Sequence, residues 1–305
     1  MNNPELYKLN LKTSTSDRQG LIDYCLSESV IGLGWGASKW LGNTSLTSFD
    51  DYLEAVHNNP WTWSQLAAPR ALEAAPEGSL VWFRDLDNAY YLARLVGPWR
   101  PVSGSRVEEL DLGQVRDVKL WKADSEIDVP GAVIRGFAAP RQHAFAKVKN
   151  DGAKLYSALL ADKQWGTGVV FPESTDLGPK AILESFLSPL DVEDLVAAYL
   201  QRDGEYIVFP GRHSRSNPVY EFLLTNRTNG QTAAVQVKTG SAELVPERLS
   251  PEVADDWFVY SAVGQDLPSH VTRITTSELV DFMNSGHPAM PKVVALWIER
   301  IQEFS

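Results

Sequence analysis

The stretch from residue 204 to residue 240 constrains the fold more than any other, because it alternates apolar runs with turn residues. A short strand is predicted at 205–210, followed by a basic loop. Two further strands are predicted at 219–225 and 232–237. The pair Asn229-Gly230 lies between them and favours the positive φ angles of a tight hairpin. The stretch therefore predicts a three-stranded meander.

Three polar residues of this meander suggest chemistry. Glu221 interrupts an otherwise apolar strand, and Gln236 and Lys238 end the next strand. Because side chains alternate between the two faces of a strand, Gln236 and Lys238 point to the same face. Mg²⁺ prefers oxygen ligands, and a lysine beside it helps to orient or activate a water for attack on phosphate. The pattern predicts a metal-dependent phosphodiesterase site. The alternative is a cross-strand ion pair of Glu221 and Lys238 on a solvated face.

A helix is predicted directly before the meander. Ser188 is a favourable N-cap, Pro189 suits the first helical position, and Asp191 follows three residues after the cap as in a capping box. Gly204 is placed to end the helix. This helix carries Glu193, an acid that either reaches a metal at the end of the sheet or is simply solvated.

The order of Glu193 on a helix, Glu221 on a strand and then Gln236-x-Lys238 resembles the PD-(D/E)xK nuclease superfamily in its Mrr-like form. The resemblance covers residues 187–282. It implies an α/β, restriction-endonuclease-like mixed sheet flanked by helices, with Mg²⁺ or Mn²⁺ as cofactor. It also implies that Glu221, Gln236 and Glu193 hold the metal and that Lys238 is catalytic with them.

This chain departs from the family pattern at one position. The family usually has Asp where this chain has Glu221, whose side chain is one methylene longer. The departure affects metal geometry, so a catalytically silent nuclease fold is a second interpretation.

Charge supports a local contact with nucleic acid. The net charge of the chain is −11, which argues against a wholly basic nucleic-acid coat. Between residues 207 and 240, however, four basic residues face one acid. Arg212 and Arg215 of the basic loop are therefore predicted phosphate-binding residues, although a solvated basic loop has the same composition.

Composition also limits the setting of the protein. Cys25 is the only cysteine, so one chain can form neither a disulfide framework nor a thiolate zinc site. The sequence has no apolar run near 18 residues and a polar N-terminus, so we expect a cytoplasmic protein without a membrane segment. The five histidines lack metal-ligand spacing, and neither a Walker loop nor a G-x-S-x-G motif is present.

The N-terminal part is predicted as a small α+β domain around a curled sheet. Helices are expected at 16–27 and from Ser48 to about residue 59, followed by strands at 80–84, 89–96, 115–122 and 132–137. The domain is placed at 1–165, a linker at 166–180, and the nuclease-like domain at 181–305. The run GLGWGA formally matches a dinucleotide-binding motif, but Gly42-Asn43 breaks the chain too soon for the long helix that this fold needs.

The runs IGLGWG, GSLVW, YYLARLVGPW and VPGAVIRGFAAPRQHAFAKV resemble the EVE and YTH-related division of the PUA-like fold. The resemblance spans residues 20–148 and implies a curled sheet or barrel that holds a flipped or modified base between aromatic side chains. Five aromatic residues are candidate base-binding walls, and each has a core position as its alternative: Trp35, Trp40, Trp82, Tyr90 and Trp99.

Three hypotheses follow. The first is a modification-dependent nuclease of restriction or antiviral defence. Its substrate is DNA or RNA, and it acts by itself, as a homodimer or in a larger defence complex. The second is a non-catalytic nucleic-acid sensor or adaptor with a degenerate nuclease fold. The third, favoured only by the acidic balance, is a protein-interaction scaffold.

Overall fold

The computed structural model describes residues 4–12, 14–34, 46–57, 66–138, 143–168, 177–208, 219–240, 242–264 and 266–304. The chain forms two compact units. The first consists of Met1–Val129 and Val133–Pro172, and the second of Pro130–Ala132 and Glu173–Ser305. Each unit contains one mixed sheet together with helices.

The first unit is organised around a six-stranded sheet of order β2-β5-β4-β3-β1-β6. Strands β1 and β3 are parallel, and the other neighbouring pairs are antiparallel. The strands are β1 Leu6–Leu9, β2 Val30–Leu33, β3 Leu80–Arg84, β4 Tyr90–Pro101, β5 Gln114–Lys122 and β6 Phe145–Lys147.

The helices in the described part of this unit are α1 Arg18–Ser27, α2 Phe49–His57, α3 Ala67–Ala74, α4 Ser105–Glu109, α5 Gly131–Ala138 and α6 Asp151–Trp165. The strand predicted at 132–137 is wrong, because α5 occupies this stretch. Val133 and Phe137, four residues apart, are both buried, whereas the residues between them are half-buried. That spacing is the period of a helix rather than of a strand.

One large apolar cluster forms the core of the first unit. It joins α1 to the sheet through buried residues such as Leu21, Ile22, Val81, Phe83 and Leu95. Cys25 belongs to the same cluster, and burial raises the pKa of its thiol to about 12. The only cysteine is therefore a packing residue in its protonated form rather than a reactive thiolate.

The second unit is organised around a five-stranded sheet of order β11-β10-β9-β8-β7. Its strands are β7 Tyr206–Val208, β8 Phe222–Asn226, β9 Thr232–Lys238, β10 Asp256–Ser261 and β11 Val271–Ile274. Strands β7, β8 and β9 pair antiparallel in sequence order, which is the predicted meander. Strand β10 adds parallel to β9, and β11 adds parallel to β10.

The turn between β8 and β9 differs from the predicted two-residue hairpin. Gly230 has a φ angle of 76°, whereas Asn229 is not among the residues with positive φ. The Asn226 side chain accepts hydrogen bonds from the backbone N–H of Thr228 at 2.9 Å and of Asn229 at 3.3 Å. This side-chain turn widens the loop, so only Gly230 adopts a positive φ angle there.

In the second unit, the short helix α7 Pro179–Ala181 continues as a π-helical stretch, Ile182–Phe186. The other helices in the described part of this unit are α8 Pro189–Gln201, α9 Thr276–Asn284 and α10 Lys292–Gln302. The predicted capping box of α8 is confirmed. Ser188 Oγ accepts from the Asp191 N–H at 3.2 Å, and Asp191 Oδ2 accepts from the Ser188 N–H at 2.8 Å.

Within the described ranges, no helix has both the length and the apolar character to cross a membrane.

A compact apolar cluster covers part of one face of the second sheet. It contains Leu223, Ala234, Leu244, Leu249, Ala254, Trp257 and Val259. Trp257 is fully buried, and its Nε1 donates to the backbone oxygen of Ser250 at 3.0 Å. This hydrogen bond ties the segment after β9 to the sheet face that also carries the candidate site.

Candidate active site

The register of β8 and β9 places the predicted site residues beside one another. Phe222 pairs with Val235, and Leu223 pairs with Ala234. The Glu221 N–H donates at 2.8 Å to the oxygen of Val235, which is already the partner of Phe222, so the register shifts by one residue at Glu221. Glu221 therefore lies beside the end of β9 that carries Gln236 and Lys238.

Glu221 and Lys238 are in direct contact. Lys238 Nζ donates to Glu221 Oε1 at 2.8 Å. The side chains are 25% and 22% exposed, so the pair lies at the edge of the solvent. At this distance the bond is a charge-assisted hydrogen bond, which is stronger than a bond between neutral groups.

Gln236 shares this sheet face with Lys238, two residues along the strand. Its side chain is 3% exposed, and its Oε1 has no hydrogen-bond partner among the residues that the structure describes. Leaving a buried acceptor unsatisfied costs about 1–3 kcal/mol. The apolar Val259 of β10 lies opposite it and offers no donor from its side chain. The Gln236 oxygen is therefore a vacant acceptor inside the face that carries Lys238 and Glu221.

Strand β10 brings a further residue to the site that the sequence did not single out. Ser261 pairs with Lys238 in the parallel register of β9 and β10. Its Oγ donates to the Val263 oxygen at 3.0 Å and accepts from the Val263 N–H at 3.2 Å. Ser261 therefore closes a local turn beside Lys238. Only the parallel pairing of β10 reveals this neighbour, because the two residues are far apart in the sequence.

Glu193 lies on α8, which contacts β7 and β9. Its side chain is half-buried. The membership of Glu193 in a metal site stays a prediction.

The donor set suits a hard cation. Glu221 contributes a carboxylate and Gln236 an amide oxygen, and Mg²⁺ and Mn²⁺ prefer such oxygen ligands. Within the described part of the chain, no group of three or more His, Cys, Asp or Glu residues is arranged to hold a metal. Mg²⁺ usually keeps several waters and takes only one or two carboxylates, so a set of two protein oxygens fits it.

Two of the predicted base-binding residues occupy the interior of the first unit. Trp82 is fully buried, and its Nε1 donates to Ser157 Oγ at 2.9 Å. Tyr90 is 3% exposed and makes an edge contact with Phe137 at 5.8 Å between ring centroids. Both have the environment of core residues, the alternative left open by the sequence. The predicted residues Trp35, Trp40, Arg212 and Arg215 lie outside the described residues.

Trp99 is half-buried and belongs to an aromatic cluster with two residues of α2. Its ring centroid is 5.0 Å from that of Phe49 and 5.9 Å from that of Tyr52. Its Nε1 donates to Gln114 Oε1 at 2.9 Å. Burial raises the pKa of Tyr52 to about 12, so its hydroxyl stays protonated. The amide of Gln114 also donates to the Gly34 oxygen at 3.4 Å, which joins the cluster to the end of β2.

Three members of this cluster were not predicted from the sequence: Phe49, Tyr52 and Gln114. Phe49 and Tyr52 are three residues apart and stack on one face of α2 at 5.5 Å, a spacing that the sequence does show. Their approach to Trp99 depends on how α2 packs against β4, which no local pattern reveals.

Comparison with known proteins gives little further guidance. No protein-family model matches the chain. No curated protein matches it either. A solved structure described as the DNA modification-dependent restriction endonuclease AspBHI is similar over 74% of this chain and 69% of that chain, with 14% sequence identity and a TM-score of 0.21. A TM-score this low does not establish a shared fold.

Proposed function

We propose that this protein is a metal-dependent nuclease. Its second unit cleaves the phosphodiester backbone, and its first unit recognises a modified or flipped base. The observation that carries the proposal is the buried, unsatisfied oxygen of Gln236 on the sheet face where Lys238 bonds to Glu221. The biological setting that we propose is restriction or antiviral defence, with DNA as the first candidate substrate and RNA as the second.

The unsatisfied Gln236 oxygen supports a cation site over a simple surface ion pair. An ion pair of Glu221 and Lys238 needs no third polar group, and a leucine at position 236 would avoid the cost of burying an unpaired acceptor. A hard cation held by Glu221 and Gln236 satisfies this acceptor. The arrangement is therefore better explained by a ligand that the two oxygens bind together.

The residues of the chain then take distinct roles. Glu221 and Gln236 hold the metal, and Glu193 is proposed to add to its shell. When bound, Mg²⁺ polarises a phosphoryl oxygen and lowers the pKa of a coordinated water. Lys238 has three N–H donors, of which Glu221 takes one, so it can also orient a water or stabilise charge on the phosphate. Arg212 and Arg215 are proposed to contact the backbone phosphates of the substrate.

The first unit is proposed as the part that reads the base. The cluster of Trp99, Phe49 and Tyr52 supplies flat aromatic surface, and Trp35 and Trp40 stay predicted walls. A base taken out of its stack needs such surfaces together with hydrogen bonds to its edge. Two copies of the chain, or a larger complex, are proposed for cutting both strands.

A non-catalytic sensor is the second candidate, and one observation favours it. The carboxylate of Glu221 is already compensated by Lys238 at 2.8 Å, as in a structural ion pair. In this case the second unit binds nucleic acid without cutting it.

Incubation of the purified protein with plain and cytosine-modified DNA, with and without Mg²⁺ or Mn²⁺, tests the proposal. We expect cutting of the modified DNA only with metal, and its loss in Lys238→Ala. Lys292→Ala, an exposed lysine in the same unit, is the matched control. Binding without cutting in either metal supports the sensor, and neither binding nor cutting overturns both.

A further inference from the structure

Lys8 is the most unusual residue of the first unit. It lies in β1 between Trp82 of β3 and Ala146 of β6. Its side chain is 2% exposed, and its Nζ has no hydrogen-bond partner within the described residues. Lysine is almost never fully buried unless it is paired. The position therefore calls for a partner that the described part of the chain does not supply.

The surroundings of Lys8 are apolar and positively charged. Its Nζ lies 5.6 Å from the ring centroid of Phe137, and the guanidinium carbon of Arg84 lies 5.3 Å from the same centroid. Burial, together with the nearby charges of Lys12 and Arg84, lowers the pKa of Lys8 to about 8. Two cations thus share one aromatic ring, and a third lies near them.

The Phe137 ring compensates these charges only in part. A cation–π contact is weaker than a charge-assisted hydrogen bond to an anion, and phenylalanine is a poorer partner than tryptophan. An ammonium taken out of water needs a counter-charge or several acceptors to offset its desolvation. A second positive charge nearby increases this need, because like charges repel more strongly in a medium of low polarity.

We infer that Lys8 and Arg84 form an anion-binding site in the first unit and that its ligand is a phosphate group. Phosphate has several oxygen acceptors, so it can accept from an ammonium and a planar guanidinium at the same time. Arg84 Nη1 donates to Asn88 Oδ1 at 3.0 Å, and a guanidinium has five N–H donors in all. This site is separate from the candidate active site, and it does not depend on the proposed nuclease activity.

Exposure changes steadily across the basic group. Lys8 is buried, Arg84 is half-buried and Lys12 is exposed. An anion can therefore approach from the side of Lys12 and Arg84, where the positive charges attract it. Lys8 has a flexible four-carbon stem, which lets its ammonium turn toward an arriving phosphate.

Inorganic phosphate, titrated at constant ionic strength without metal, tests the site by thermal denaturation and calorimetry. We expect phosphate to raise the midpoint temperature of the wild-type chain and to bind Lys8→Met at least about tenfold more weakly. Lys119→Met removes an exposed lysine from β5 of the same sheet and is the matched control. Equal responses of the wild type and Lys8→Met would overturn the inference, and an equal loss in Lys119→Met would reduce it to general charge attraction.

A second variant keeps the test decisive if Lys8→Met does not fold. Arg84→Gln removes one of the two proposed donors at a half-buried position, and we expect it to weaken phosphate binding as well. Unchanged binding in Arg84→Gln would then overturn the inference.

Two sources of phosphate are distinguished by competition. A short oligonucleotide with a 5′-phosphate is compared with the same strand without it, each against inorganic phosphate. Tighter binding of the phosphorylated strand, lost in Lys8→Met, identifies a nucleic-acid end as the ligand. Binding of inorganic phosphate alone identifies a small free anion.

Discussion

Lys238 donates to Glu221 across 2.8 Å, although the backbone N–H of Glu221 bonds to Val235, three residues before Lys238 in β9. Gln236 follows Val235 in the same strand, and its buried oxygen has no hydrogen-bond partner within the described residues. The lysine thus bonds to the carboxylate, and the amide oxygen is left without a donor. This leaves a pair of oxygens, one charged and one neutral, on the same face of the sheet.

Replacement of Lys238 by alanine tests its role in catalysis. We expect cleavage to fall by about 100-fold or more, because the variant loses the donor that orients water or stabilises the phosphate. Stability should fall by only about 1 kcal/mol or less, since the ion pair lies at the edge of the solvent. Rates of DNA cleavage and urea denaturation measure the two effects. Loss of binding together with folding would assign Lys238 a structural role.

Replacement of Gln236 by leucine separates its chemical role from its structural role. The variant removes a buried acceptor without a partner, so we expect stability to stay the same or to rise by about 1 kcal/mol. Binding of Mn²⁺, measured by calorimetry, should be lost together with cleavage. A marked loss of stability with Mn²⁺ binding intact would show that the amide serves packing alone.

Replacement of Lys8 by methionine gives a stability difference that depends on pH. The pKa of Lys8 falls from 10.5 to about 8 on folding, so the folded chain pays a penalty below pH 8 that disappears as pH rises toward 10.5. We expect Lys8→Met to be more stable than the wild type at pH 7, by up to about 3 kcal/mol, in buffer without phosphate. The difference should shrink between pH 8 and pH 10.5.

Urea denaturation of both chains at several pH values measures this difference. The charged groups that act on Lys8 are Lys12 and Arg84, and both the wild type and Lys8→Met retain them. A difference that stays constant from pH 7 to pH 10 would mean that Lys8 keeps the pKa of an exposed lysine, about 10.4.

Replacement of Trp82 by phenylalanine tests whether this residue is a base wall or a core residue. The variant loses the hydrogen bond from Nε1 to Ser157 and leaves the buried hydroxyl with one partner fewer. We expect a loss of about 1–3 kcal/mol in stability and no change in the preference between plain and modified DNA. A changed preference with stability intact would instead place Trp82 in the base pocket.

Local signals in the sequence predicted the meander and the start of α8. Ser188 and Asp191 form the capping box because both partners lie within one turn of the chain. The same reasoning failed at 132–137, where a strand was predicted although the buried residues Val133 and Phe137 follow a helical period. Periodicity over so few residues is a weak guide, and burial by surrounding elements decides the outcome.

Contacts between distant segments could not be predicted. A sequence shows that Gln236 and Lys238 share a face, but not that β10 adds beside them in parallel and places Ser261 next to Lys238. The burial of Lys8 was missed for the same reason. A lysine in a run of four strand residues is expected to face solvent, but here Phe137 of α5 lies over its ammonium group.

Strand β9 is the middle strand of five, with β8 on one side and β10 on the other. Backbone amides of such a strand exchange with solvent only when a neighbouring strand also separates, so they belong to the slowest-exchanging part of a domain. The edge strands β7 and β11 can open without disturbing Gln236 or Lys238. We therefore expect the two residues to keep their spacing when an edge strand opens and to lose it when the central strands separate.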